Sequence, residues 1–66
     1  MKNLTINGEL KVTMADDLFA LCQELDLPAA LLLVEYNGEA LARTEWDGVL
    51  LRDGDRLELL RVAAGG

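Results

Sequence analysis

The chain has 66 residues, is 52% apolar and carries a net charge of −6. That length bounds it to one small domain, without room for a deep pocket enclosed by its own walls, and the apolar share makes it globular rather than disordered. The acidic balance argues against nucleic acid, whose phosphates want a basic face, and against anionic membrane surfaces; it favours a basic patch on a protein partner.

The single cysteine rules out an intrachain disulfide, so packing must hold the fold, which fits a reducing cytoplasm. The opening stretch MKNLTINGEL lacks the apolar core expected of a signal peptide. The longest purely apolar run, Ala29 to Val34, is too short to span a bilayer.

Residues 2–7, KNLTIN, alternate polar and apolar with Leu4 and Ile6 on one face, which predicts a half-buried strand. Asn7-Gly8 follows, a hairpin signal because both residues tolerate positive φ. Leu10, Val12 and Met14 continue the alternation on the return strand. The period then changes. Leu18, Leu21, Cys22 and Leu25 fall at i, i+3, i+4 and i+7, one face of a helix of about ten residues. Asp16 or Asp17 is placed to cap its start, and Pro28 blocks its continuation.

The run LLLVEYN (31–37) reads as a strand buried on both faces, closed by a second Asn-Gly turn at Asn37-Gly38. EALA (39–42) suits a short strand, RTEWDG (43–48) an irregular segment, and VLL (49–51) a brief apolar piece. After a turn at Asp53-Gly54, RLELLRV (56–62) forms the last strand, with Leu57 and Leu59 inward by alternation. A hairpin, a helical crossover, a buried strand and a final strand place that last strand inside a mixed sheet. The expected fold is α+β, a ubiquitin-like β-grasp with a mixed four- to five-stranded sheet packed on one main helix. The expected division is a folded domain over 1–62 and a flexible Ala-Ala-Gly-Gly tail over 63–66.

Most catalytic chemistry lacks its usual residues. There is no histidine, and the acidic side chains are spread without a distinguished pair. No glycine-rich phosphate loop precedes a helix. Asp53-Gly54-Asp55 lacks the other ligand positions of a calcium loop and reads as a plain turn. Cys22 lies on the apolar helix stripe and reads as core, with Phe19 at its periphery. Trp46 reads as the cover of one end of the core, against the alternative of an interface anchor. Arg43, Arg52, Arg56 and Arg61 read as partners of nearby surface carboxylates, and Arg61 is also close enough to the tail to meet a partner.

That leaves the tail. Ala63, Ala64, Gly65 and Gly66 present almost no side chain, so an extended segment of this kind can thread a narrow tunnel in another protein. A terminal carboxylate delivered there can attack the α-phosphate of ATP, giving an acyl-adenylate. Sulfur, an amine or a thiol can then displace AMP.

The stretch LARTEWDGVLLRDGDRLELLRVAAGG resembles the C-terminal part of the thiamin-biosynthesis sulfur carrier family, ThiS. The resemblance rests on Asn7-Gly8-Glu9, on Arg43 and Trp46 at Arg-x-x-Trp spacing, on Asp53-Gly54-Asp55 and on Gly65-Gly66, and it covers essentially the whole chain. Ala42 stands where the family often has Pro, and Ala63-Ala64 where a larger apolar residue often precedes the last small ones.

The resemblance implies a carrier rather than an enzyme, with no catalytic residue and no metal or cofactor of its own. Gly66 would be the modified residue, with Ala63, Ala64 and Gly65 as the threading segment. ATP-Mg would be used by the partner, a ubiquitin-activating-type adenylating enzyme. Sulfur would come from a cysteine desulfurase or another persulfide source, and thiazole synthase would receive it, in the cytoplasm. Alternation puts Leu60 and Val62 on the face opposite Leu57 and Leu59. With Arg61 they are the expected docking residues. Sulfur carriage for another pathway (molybdopterin, cysteine or a secondary metabolite), a ubiquitin-like protein modifier and a passive β-grasp interaction domain are the other readings.

Overall fold

A computed structural model describes residues 1–62. Strand β1 (Lys2–Ile6) and strand β2 (Glu9–Thr13) form an antiparallel hairpin, in which Ile6 pairs with Glu9. The two residues between them, Asn7 and Gly8, have φ of 51° and 82°. Positive φ at both centres matches the right-handed twist of the flanking strands, which is why Asn-Gly joins them so tightly. Asn37 and Gly38, at 50° and 88°, repeat the device between strand β3 (Leu32–Tyr36) and strand β4 (Glu39–Leu41).

Helix α1 spans Leu18–Glu24, seven residues, shorter than the apolar spacing predicts. Asp17 is the cap: its carboxylate accepts from the Ala20 N–H at 2.8 Å. The helix stops before Pro28 is reached. Asp26 adopts φ of 57°, and the N–H groups of Asp26 and Leu27 fold back to donate to Gln23 O and Cys22 O. A left-handed residue with these paired bonds closes a helix without proline.

A 3-10 turn over Ala29–Leu31 leads into β3, and a second one over Arg43–Gly48 follows β4. Strand β5 (Arg56–Arg61) ends the described fold. The sheet has five strands in the order β2-β1-β5-β3-β4, with β5 parallel to β1 and antiparallel to β3. The last strand is central, as expected, and the architecture is the β-grasp.

The core lies between α1 and one face of the sheet. Leu4 and Ile6 of β1, Leu57 and Leu59 of β5, and Leu32 and Val34 of β3 meet Leu18, Leu21 and Cys22. Trp46, 1% exposed, closes one end, its ring tilted at 55° to that of Phe19 with centroids 5.0 Å apart. Burial pushes the Cys22 thiol up, against a smaller opposing pull from Arg43.

The opposite face of the sheet has no layer over it among the described residues, and two expectations change there. β3 is not buried on both faces: Leu32 and Val34 point in, but Leu33 is 57% exposed. The alternation on β2 holds but points outward, leaving Leu10 72% exposed with Val12 and Met14 beside it. The register explains this. Leu4 and Ile6 sit across from Lys11 and Glu9, so the hydrophobic set of β2 necessarily takes the other side. Thr13 is the buried residue of β2, its hydroxyl donating to Glu24 and accepting from Ala15 N–H.

Candidate functional site

β5 is the strand that precedes the chain's last residues in sequence, and it is held differently on its two sides. On the β3 side the ladder continues through Leu60 opposite Leu33 to the Val62 N–H, which donates to Leu31 O at 2.7 Å. On the β1 side the pairing is short, covering Arg56 with Thr5 and Leu57 with Ile6. Beyond it Asn7 takes over. Its Oδ1 accepts from the Leu59 N–H at 2.8 Å, and its Nδ2 donates to Leu59 O at 3.1 Å. One carboxamide thus does for Leu59 what a neighbouring strand would do.

Asn37 works the same strand from the other turn. Its Oδ1 accepts from Arg56 N–H at 2.8 Å, and its Nδ2 donates to Asp55 Oδ1 at 3.2 Å. Asp55 is buried and also accepts from Tyr36 OH and Arg52 N–H, both at 2.8 Å. Burial would raise its carboxyl, but the hydrogen bonds from Arg52, Asn37 and Tyr36, with the Arg52 charge, outweigh that and hold it below the usual carboxylate range. Burial and the bond to Asp55 push the Tyr36 phenol up. The Asp-Gly-Asp segment is therefore a turn pinned by its second aspartate. Among the described residues no group of three or more His, Cys, Asp or Glu is placed to hold a metal ion.

The expected docking residues fall as alternation places them. Leu60 is 61% exposed on the outer face, Val62 is partly exposed, and Arg61 is exposed on the other side of the strand. An open groove of about 880 Å³ takes in Leu60, its lining also including Leu33, Leu41 and the carboxylate residues Glu45 and Glu58. Ala63, Ala64, Gly65 and Gly66 lie outside the described residues.

The arginines are not paired as expected. The ion pair among the described residues is Lys2 with Asp16 at 2.9 Å, and the Lys2 hydrogen bond and charge lower the Asp16 carboxyl. Arg43 instead lies over Trp46, 5.3 Å from the ring centroid. Ala42, at φ −70°, has a backbone that would suit proline, yet its N–H donates to Glu45 Oε1 at 2.8 Å.

The profile of the ThiS family matches residues 2–66. The chain belongs to the ThiS family. It is thereby a protein of the ThiS sulfur-carrier type. Relatives agree with that membership. The crystal structure of the thiamine biosynthesis protein ThiS from Geobacter metallireducens is 35% identical, superposes with a TM-score of 0.80, and is matched over 97% of this chain and 99% of that one. The solution structure of a thiamine biosynthesis protein from the same organism gives 34% identity and a TM-score of 0.75, over 97% and 87%. An uncharacterized protein of Trieres chinensis, ycf40, is 29% identical over 98% of this ThiS-family chain and 90% of its own length.

Sequence reasoning missed the two asparagine clamps and the pinning of Asp55. It took each Asn-Gly as a turn and nothing more. A signal was present: glycine or aspartate also serves at the first turn position, but asparagine stands at both, and it alone offers a donor and an acceptor together.

Proposed function

We propose that this ThiS-family chain carries sulfur on the carboxyl group of Gly66 for formation of the thiazole of thiamin. The match to the family over residues 2–66, tail included, is the observation that supports this reading most. The Geobacter metallireducens relative, named as a thiamine biosynthesis protein, supports the pathway.

The chemistry runs on partners. A ubiquitin-activating-type adenylating enzyme binds ATP-Mg and takes the tail, with Ala63, Ala64 and Gly65 threading its tunnel. A Gly66 carboxylate oxygen attacks the α-phosphorus of ATP, and pyrophosphate leaves. The terminal sulfur of a persulfide, supplied through a cysteine desulfurase, attacks the acyl carbon and expels AMP. A thiol then attacks the other sulfur of the acyl disulfide, and its two electrons release the thiocarboxylate while a disulfide forms. Thiazole synthase accepts the sulfur. The carrier contributes reach, shape and the acyl carbon, and the whole sequence belongs to the cytoplasm. Leu60 and Val62 of the outer face, with Arg61, dock on these partners.

Intact mass after incubation with a bacterial adenylating enzyme, ATP-Mg and a persulfide source tests the carrier step. The expected result is one oxygen replaced by sulfur, mapped to Gly66 and abolished by deleting it. An unchanged mass with several such enzymes sinks the proposal. Leu60→Asp tests docking: adenylation should fall, and an unchanged rate removes Leu60 from the interface.

A further inference from the structure

We propose that the β1-facing edge of β5 at Arg61 accepts an extended strand of the adenylating partner, an assignment that rests on the carrier reading above. Residues along β5 alternate in the direction of their backbone groups. Leu57 O accepts from Asn7 N–H at 2.9 Å, and Leu59 exchanges both of its groups with the Asn7 carboxamide, so the odd-numbered residues face the β1 lane. Arg56 O, bonded by Asn37 N–H, and Val62 N–H, bonded to Leu31 O, face β3. Arg61 therefore presents its N–H and C=O to the lane that β1 left at Ile6. Among the described residues no hydrogen bond reaches either group from that side.

Unpaired strand edges bind other strands, and natural folds blunt those they do not use. Here Asn7 blunts the edge at Leu59 and stops one pair short of Arg61. The occupant follows from what comes after. Ala63, Ala64, Gly65 and Gly66 offer a partner almost nothing but backbone. A protein that grips such a segment must do so through main-chain hydrogen bonds, and these are made in register by a strand lying alongside. Arg61 carries the first free pair on that line, so the partner strand begins there. A second copy of this chain is a poor occupant. A specific interface buries about 1,200–2,000 Å², and pairing two such edges would bring Arg61 against its own copy.

Proline separates this edge from an ordinary strand end. Its missing N–H is tolerated where that group faces an open edge, and the ring blocks a neighbouring strand. Arg61→Pro is compared with Arg61→Ala, so loss of the guanidinium cancels. Thermal midpoints of the two should agree within a few degrees, while kcat/KM for adenylation by a bacterial ubiquitin-activating-type enzyme should be about tenfold lower for the proline variant.

Amide exchange on the unmodified chain gives a second readout, independent of whether the variant folds. Arg61 N–H should exchange freely in the isolated carrier, with Val62 protected, and become protected in the complex. Equal kcat/KM for the two variants, or an Arg61 amide still unprotected in a complex that adenylates Gly66, overturns the strand assignment alone. An unmodified chain that no such enzyme adenylates removes the carrier reading, and this assignment with it.

Discussion

At the scale of single residues, Asp55 shows how a turn becomes a fixed point. Its carboxylate is bonded by the backbone of Arg52, the amide of Asn37 and the phenol of Tyr36. Those donors hold its folded-state titration below the ordinary range despite burial. The unfolded chain therefore takes up this proton more readily than the folded one. The contribution is complete above about pH 4, the ordinary carboxylate value, and is lost as pH falls through the depressed folded value. Asp55→Asn should thus lower stability most at neutral pH, and the gap to the parent should narrow on acidification below that point. Urea melts at stepped pH read this directly. A gap that stays constant down to the acid limit would mean the carboxylate is not what these donors stabilise.

Among the elements, β5 is held less by its neighbours than its central position suggests. β1 leaves it after Leu57, and Asn7 replaces the missing lane at Leu59. Asn7→Gly isolates that role, since glycine keeps the positive φ of the turn. Losing two hydrogen bonds should cost about 2 kcal/mol, measured by equilibrium denaturation. A turn-only role predicts almost no change.

The same element shows what a sequence discloses. The order of strands, the two Asn-Gly turns, the inward pair Leu57 and Leu59 and the exposed Leu60 all follow from period and local turn chemistry. Burial on both faces of β3 and the direction of Leu10, Val12 and Met14 do not. They depend on register and on which face has a helix, and apolar composition carries neither. The early end of α1 has the same origin: a left-handed Asp26 stops it, and nothing in the composition of QELDLP demands that conformation. Of the site, the exposure of Leu60 and Val62 on the outer face was legible as alternation. The clamp on Leu59 was not, because it joins residues fifty-two positions apart.

For the molecule as a whole, one helix covers one face of a five-stranded sheet, and among the described residues no layer covers the other. The two faces should therefore answer mutation differently. Leu57 is 0% exposed at the centre of the core. A chain of this size draws only about 3–5 kcal/mol from a single core, and truncating a buried leucine costs about 2–5 kcal/mol, so Leu57→Ala should leave little of the folded state at 25 °C. Leu60, its neighbour on the outer face, is bounded instead by strand preference, about 1 kcal/mol. Leu60→Asp should keep a cooperative thermal transition a few degrees below the parent. That difference makes the docking test readable: adenylation lost in a folded Leu60→Asp chain reports the surface, whereas a collapsed transition in that variant would show that the outer face belongs to the stability of the fold and not to a partner.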